Sequence, residues 1–286
     1  MLLGLTAYLL WGLFPLYWPL LRPAEATEIL AHRIVWSLLF LTFLLGRDGG
    51  FKRILALGRR RLSLLALASL LIGSNWYFYI WGVTHSHVVE TSLGYFINPL
   101  LSVALGVVLL GERLSRAQWI ALALAVVAVV VLTVAHGQLP WLALVLAASF
   151  GGYGLVKKKA GVPAIESLAV ETSLLFLPAL GYLMWRQGHG VGVFGHVSRG
   201  EDALLMSCGV ITSIPLLCFG AAAIRVPLST LGLMQYVAPV LQFLCGVLAF
   251  HEAMQPARWA GFGLVWVALC VFTADAVLRA RAGGRH

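Results

Sequence analysis

Ten apolar runs set the terms for this chain, at residues 2–20, 28–46, 63–83, 89–110, 116–134, 139–156, 167–185, 203–223, 229–250 and 257–277. Each approaches the roughly 20 residues that an α-helix needs to cross a ~30 Å hydrocarbon core. No water reaches the backbone there, so such runs fold as helices that satisfy their own hydrogen bonds. Hydrophobic residues make up 60% of the chain and charged residues 11%, against about 25% charged in an average soluble protein. The predicted class is an all-α polytopic membrane protein with ten transmembrane helices. The first run lacks a basic lead and a small-residue cleavage site, so it reads as the first span rather than a signal peptide.

The net charge of +9 lies in short loops between apolar runs, a pattern of membrane topology and not of nucleic-acid binding. With the start of the chain in the cytoplasm, fifteen of the twenty Lys and Arg fall inside, among them Arg47, Lys52, Arg53, Arg60, Lys157, Lys158 and Lys159. Arg22, Arg33, Arg186, Arg199 and Arg258 fall outside or in outward-leaning helix ends. Both termini are therefore predicted to be cytoplasmic; the expected location is a bacterial inner membrane. The inner segment FKRILALGRRR reads either as a strip along anionic headgroups or as a solvated loop. The longest outer loop, RQGHGVGVFGHVSRGED, is glycine-rich and is predicted to be mobile. Cys208, Cys218, Cys245 and Cys270 lie in apolar runs without disulfide or zinc spacing and read as packing residues. No metal or cofactor is implied.

The chain also matches itself. A shift of 140 residues aligns Leu64 with Leu204, Pro99 with Pro239, Gly106 with Gly246, Glu112 with Glu252 and Trp119 with Trp259, without a gap. Five spans per copy is an odd number, so the second copy must enter the membrane upside down. The predicted architecture is two inverted five-helix repeats, residues 1–138 and 139–286. Transporters are built this way, with sites near the midplane where the repeats meet.

One face of the fourth span carries Ser92, Tyr95, Asn98 with Pro99, Ser102 and Gly106; the ninth carries Gly232, Gln235, Ala238 with Pro239, Gln242 and Gly246 in the same places. Residues three, four and seven apart share a helix face. Polar groups in lipid are costly without partners, so both faces are predicted to look inward. Gly106 and Gly246 read as close-packing positions. For Tyr95, Asn98 and Gln235 a cavity-lining role and interhelical bonding both stay open. Pro99 and Pro239 each remove a backbone hydrogen bond and bend a helix, as packing kinks or as a pair of hinges.

"AYLLWGLFPLYW", "EILAHRIVWSLLF", "LIGSNWYFYIWGV", "ETSLGYFINPLLSVALGVVLLGERLS" and "STLGLMQYVAPVLQFLCGVLAFHE" resemble the RarD branch of the EamA drug/metabolite transporter superfamily over essentially the whole chain. The conjunction of EILAHR, SLGYFINPL and LGER carries the resemblance. It implies a central cavity lined by the first four helices of each half, with the fifth and tenth peripheral. It also implies a secondary transporter exporting a small amino-acid-like or drug-like compound by alternating access, as monomer or homodimer. The spans assigned to the cavity contain Trp11, Tyr17, Trp76, Tyr79, Tyr95, Tyr153 and Tyr236, which can stack on flat or cationic solutes or mark headgroup boundaries. Asn75 shares a face with Tyr79, and Thr212 with Ser213 supplies hydroxyls in the eighth span. Such a lining suits a neutral or zwitterionic molecule better than a highly charged phosphate.

Ionisable residues inside the runs are candidates for proton coupling. Glu28 and His32 stand four apart on the second helix, and Glu171 occupies the region equivalent to His32 in the second half. An interfacial capping cluster is the alternative for the first pair. Glu90, Glu112 and Glu252 lie near helix ends, where structural duty is expected, and Ser115 is placed to cap the fifth span. An enzyme is not expected: HEAMQ at 251 lacks the second histidine of HExxH, and neither GxSxG nor GxxxxGK[ST] occurs. A passive facilitator or channel for small neutral solutes is the rival reading. Its "INPL" resembles an aquaporin loop, but the second half reads "VAPV" without the asparagine.

Overall fold

The computed structural model describes residues 1–84, 88–136, 141–249 and positions 263, 264, 266, 267, 270, 271, 274 and 275. Among the described residues, nine of the ten apolar runs appear as helical spans. The first half comprises α1 (Leu2–Tyr17), α2 (Ala26–Asp48), a short α3 (Gly50–Leu55), α4 (Arg59–Thr84), α5 (Val88–Leu110) and α6 (Arg116–His136). The second comprises α7 (Trp141–Ala160), α8 (Ala164–Gly188), α9 (Arg199–Ala223), then α10 (Leu228–Met234) with α11 (Val237–Leu244) as one broken span. The described positions from 263 to 275 are helical.

Local chemistry explains several ends. A 3₁₀ turn, Trp18–Leu21, extends α1. Gly49 closes α2 at φ 64°, a left-handed conformation that only glycine adopts without a Cβ penalty. Ser115 caps α6 as expected: its Oγ accepts the Gln118 N–H at 3.0 Å, and Gln118 Oε1 accepts the Ser115 N–H at 2.9 Å, a reciprocal capping box.

Helix pairing follows the internal repeat. The contact of α5 with α7 is mirrored by α1 with the α10–α11 span, α4 with α7 by α1 with α9, and α4 with α8 by α2 with α9. Two pairs, α2 with α8 and α5 with α10, are their own mirror images. Every one of these contacts joins one half to the other, so the halves are interleaved. At the periphery α6 buries Ala121, Ala125 and Ala128 and exposes Val127, Val130 and Val134. The small face admits a close neighbour, and the branched face is suited to lipid.

Small residues set how near the helices come. A Cβ on Gly209 would overlap the backbone of Trp36 and Ser37 across the α2–α9 crossing. A Cβ on Gly232 would lie 2.8 Å from Ser102 Cβ and 2.9 Å from the Pro99 carbonyl oxygen, where α5 meets α10. Gly106 likewise leaves room beside Glu112 and the Ser229 nitrogen, the close-packing role expected of it. The side-chain environment at Gly246 lies outside the described residues.

The two prolines differ. α5 runs through Pro99 as one helix, whereas the ninth span breaks at Gln235–Tyr236. A proline ring clashes with the carbonyl four residues earlier, here that of Gln235. That oxygen instead accepts the Ala238 N–H at 3.1 Å.

At one end of the bundle Glu112, in the α5–α6 loop, bridges the halves. Its carboxylate accepts the N–H of Leu228 at 2.7 Å and of Ser229 at 2.8 Å, with Lys158 Nζ at 3.7 Å. It therefore caps α10, not its own following helix. Burial works against its charge, yet the Ser229 and Leu228 N–H groups and the Lys158 ammonium outweigh burial and hold its carboxyl below the usual range. Glu252, its repeat counterpart, lies outside the described residues, as does the side chain of Glu90. Two sequence expectations change. Lys157, expected in a charged loop, is 2% exposed in the last turn of α7. The glycine-rich 189–198 segment, expected to be mobile, is tied down: Val193 N–H donates to Glu28 at 2.7 Å, Gly195 N–H donates to Asp202 at 2.7 Å, and the Phe194 ring lies 5.1 Å from His32.

Two outcomes follow for stability. Gly209→Ala overpacks a backbone contact, a change that typically costs about 1–3 kcal/mol, whereas a Cβ at Gly181 meets nothing within 4 Å. Thermal unfolding followed by size-exclusion chromatography should show Gly209→Ala well below wild type and Gly181→Ala at or above it; equal midpoints would refute the close crossing. Because the Glu112 pKa is depressed on folding, its contribution is present above the ordinary carboxylate value of about 4.3 and is lost as the pH falls through the folded-state value. Glu112→Gln should thus lower the midpoint by a few degrees at neutral pH, and the gap should close in acid. A gap that is constant across pH would show that the carboxylate charge is irrelevant.

Candidate functional site

The inward faces predicted for α5 and the ninth span do meet a cavity. Its volume is about 180 Å³, and it is bounded by α1, α2, α4, α5, α7, α9 and the broken span. Its position along these antiparallel helices is asymmetric: it is lined by Phe14 and Trp18 late in α1 and its extension, Arg33 early in α2, Asn75, Trp76 and Tyr79 late in α4, and Tyr95 and Asn98 early in α5. It therefore lies toward the end that carries the 189–198 segment, away from Glu112.

Of the residues singled out by sequence, Trp11, Asn75, Trp76, Tyr79, Tyr95, Asn98, Gln235 and Pro239 line this cavity together. Asn75 Nδ2 donates to the Leu146 carbonyl and to Ser149 Oγ, both at 2.9 Å, tying α4 to α7. The Tyr79 and Tyr95 rings meet at 5.9 Å and 70°. Asn98 is 4% exposed, and its Oδ1 has no hydrogen-bond partner. Gln242 also lines the wall, with Nε2 donating to the Trp11 carbonyl at 3.3 Å.

Three other aromatic or hydroxyl candidates sit behind the wall. Tyr236 is buried and donates to the Phe96 carbonyl at 3.1 Å, joining the two self-mirrored helices. Thr212, 2% exposed, accepts a hydrogen bond from Arg33 Nε at 2.9 Å. Tyr153 is fully buried beneath the cavity. Tyr17 faces the second half, donating to the Leu204 carbonyl at 2.9 Å, and Pro99 packs against Gly232.

The floor is aromatic. Phe219 of α9 touches Trp11 at 5.7 Å, Phe150 at 5.3 Å and Tyr153 at 5.8 Å, the last pair stacked at 13°. Below it, Tyr153 Oη donates to Glu171 Oε2 at 2.9 Å, and Lys157 Nζ donates to Glu171 Oε1 at 2.8 Å and to Ser167 Oγ at 2.7 Å. Ser167 passes the bond on to Glu171 Oε1 at 2.7 Å. Gly220 leaves room for the lysine stem, since a Cβ there would stand 3.2 Å from Lys157 Cε. Lys157 and Glu171 are 2% and 1% exposed. A desolvated pair of this kind holds its geometry because losing either partner strands a charge.

Glu28 and His32 lie at the opposite end, outside the cavity lining. Arg186 reaches Glu25 at 2.6 Å, Glu28 at 3.2 Å and the Val191 carbonyl at 2.7 Å. His32 Nδ1 accepts from Trp36 Nε1 at 3.2 Å, and its Nε2 is buried without a partner. Among the described residues no three His, Cys, Asp or Glu side chains cluster as metal ligands.

Sequence reasoning did not place Arg33, Lys157 or Phe219 at the site. By sequence Arg33 reads as an outward-leaning charge, although a cation inside an apolar run is itself a signal of function. It lines the cavity with its guanidinium carbon 5.0 Å from the ring centroids of both Trp18 and Trp76. Phe219 carries no such signal, because one phenylalanine among many becomes a floor only through its neighbours.

Comparison with known proteins agrees with this geometry. Residues 1–134 match the EamA-like transporter family. Protein RarD of Streptomyces exfoliatus is 57% identical over 98% of this chain and 90% of its own length. An uncharacterized transporter of Pseudomonas aeruginosa is 45% identical over 96% of this chain and 93% of its own, and protein RarD of Escherichia coli is 41% identical over 98% and 95%. A solved crystal structure shares the fold with a TM-score of 0.73 at 21% identity, covering 96% of this chain and 97% of that one. Apolar spans, architecture and relatives agree: the chain is an integral membrane protein that belongs to the RarD branch of the EamA transporter superfamily.

Proposed function

We propose that the chain is a secondary exporter that carries a small metabolite through this cavity by alternating access, with protons as the coupling ion. The observation that carries the reading is the cavity itself. It lies between the two interleaved halves and is closed at one end by packed aromatic rings backed by a buried ion pair. A channel needs a continuous path, so a closed floor favours a carrier.

Glu171 is the coupling residue in this scheme. The groups facing its carboxylate are Lys157, Tyr153 and Ser167, while Ser69 Oγ holds its backbone carbonyl at 2.9 Å. Protonation would remove the charge opposite Lys157 and free the Tyr153 hydroxyl, loosening the floor that Tyr153 shares with Phe219. Stranding one partner of a buried pair costs about 3–5 kcal/mol, enough to invert the populations of two access states. His32 and Glu28 are assigned to the opposite seal, where Glu28 holds Val193. Movement is assigned first to the ninth span, already broken before Pro239, with Pro99 of the unbroken α5 as the pivot it packs on.

The solute can be found by comparing metabolites released from cells with and without the protein, then followed in proteoliposomes under an imposed pH gradient. Wild type should accumulate it against its own gradient. Glu171→Gln, or Glu171→Gln with Lys157→Met so that no charge is stranded, should keep exchange but lose gradient-driven accumulation. Pro239→Ala should slow both processes. Wild-type flux that ignores the pH gradient would leave a passive facilitator, and unchanged accumulation in both Glu171 variants would move the proton site elsewhere.

The orientation proposed here, with both termini in the cytoplasm of a bacterial inner membrane, rests on the basic residues clustered at the Glu112 end. Single cysteines at Arg60 and Lys159, both exposed, should be protected from impermeant thiol reagents in intact cells, while one at Gly190 should react. The opposite labelling pattern would invert the topology.

A further inference from the structure

The cations inside this bundle are not treated alike. Lys157 is paired with Glu171, and Arg186 with Glu25 and Glu28. Arg33 has no carboxylate partner among the described residues, and it is the only charged residue among those lining the cavity. One of its donors is spent on Thr212. Trp18 and Trp76 flank the guanidinium, which favours the charge through cation–π attraction but accepts none of the terminal N–H groups. Those two nitrogens have no acceptor among the described side chains or backbone.

A guanidinium remains charged in proteins, and an unpaired charge in a low-dielectric interior is costly. A ligand acceptor can meet that cost. The remaining donors form a planar fork that matches a carboxylate bidentately. Thr212 fixes the Nε edge and the two tryptophans fix the plane, so the fork is pre-oriented. With one cation in the lining, the complement is a monoanion rather than a dianion such as a phosphate monoester.

Size and lining bound the rest of the molecule. Drug-sized ligands occupy clefts of roughly 300–1,000 Å³, whereas a dry engineered cavity of about 150 Å³ accepts benzene. At about 180 Å³, this cavity has room for a ring-sized body and a small head. Trp11, Phe14, Trp76 and Phe150 give that body apolar, aromatic walls. Resting on the transport reading above, we infer that Arg33 is the receptor for the carboxylate of a small organic monoanion whose apolar body, about the size of one ring, packs against these side chains.

The test uses calorimetric titration of the purified full chain with benzoate and phenylacetate, their neutral amides, and benzylamine. Wild type should bind the acids about ten- to a hundredfold more tightly than the amides, the range expected for hydrogen bonds to a charged group, and should bind the amine least. Arg33→Gln should remove the preference, and Arg33→Lys should keep part of it. If Arg33→Gln does not fold, Thr212→Val, which releases the guanidinium without touching its charge, should weaken the acids and spare the amides. Equal binding of acid and amide, no acid binding at millimolar concentration, or a preference that survives Arg33→Gln would each overturn the assignment. Proteoliposome flux is measured separately. Acid binding without flux would overturn the transport reading and leave the receptor standing; flux without acid preference would do the reverse.

Discussion

Inside the hydrocarbon core a polar group has no solvent to fall back on, so each one must be answered by another part of the protein. That constraint organises this structure. Asn75 spends both amide hydrogens on α7, Tyr236 reaches across to the Phe96 carbonyl, and Lys157, Ser167, Tyr153 and Glu171 close into a network with no bond directed at lipid. Each of the first two bonds joins one half of the chain to the other. Interleaving is the physical result: helices from opposite repeats cover one another's polar faces, and lipid meets valine and leucine. The exceptions then become informative. Asn98 Oδ1 is buried without a hydrogen-bond partner, Arg33 has no carboxylate partner among the described residues, and both residues line the cavity.

The repeat constrains the backbone more tightly than the side chains. Helix pairs recur in mirrored places, yet the two copies use matched positions differently. Pro99 is absorbed within α5, while Pro239 accompanies a break that turns the ninth span into α10 and α11. One copy carries Asn98 where the other carries Ala238. Inversion gives the two copies similar architecture; the differences between copies give the two ends of the bundle different chemistry. Here the floor is built from Phe219, Phe150 and Tyr153 over a salt bridge, and the opposite end carries Arg186 with Glu25 and Glu28.

Much of this was legible in the sequence. The lengths of the apolar runs predicted helical spans, and among the described residues nine of the ten are helical, because a helix is the only form in which an isolated segment satisfies its backbone in lipid. The 140-residue self-match with an odd number of spans determined inversion, and three- and four-residue spacing put Tyr95, Asn98 and Gln235 on inward faces. Ser115 was legible as a cap because its partner lies three residues away. Local patterns succeed where the partner is local.

The remaining assignments depend on partners distant in the chain. Arg33 becomes a cavity cation through Trp18, Trp76 and Thr212, and Lys157 changes from loop charge to buried ion pair through Glu171 on the next helix. Glu112 caps a helix 116 residues away instead of its neighbour, and the glycine-rich 189–198 segment is held by Glu28 and His32 of the other half. The sequence by itself determined which segments enter the membrane, how often the unit repeats and which helix faces avoid lipid, since those properties follow from transfer free energy and helical period. Only the tertiary structure decided which inward polar groups are spent on one another and which line the cavity, because that depends on distances between helices that no periodicity encodes.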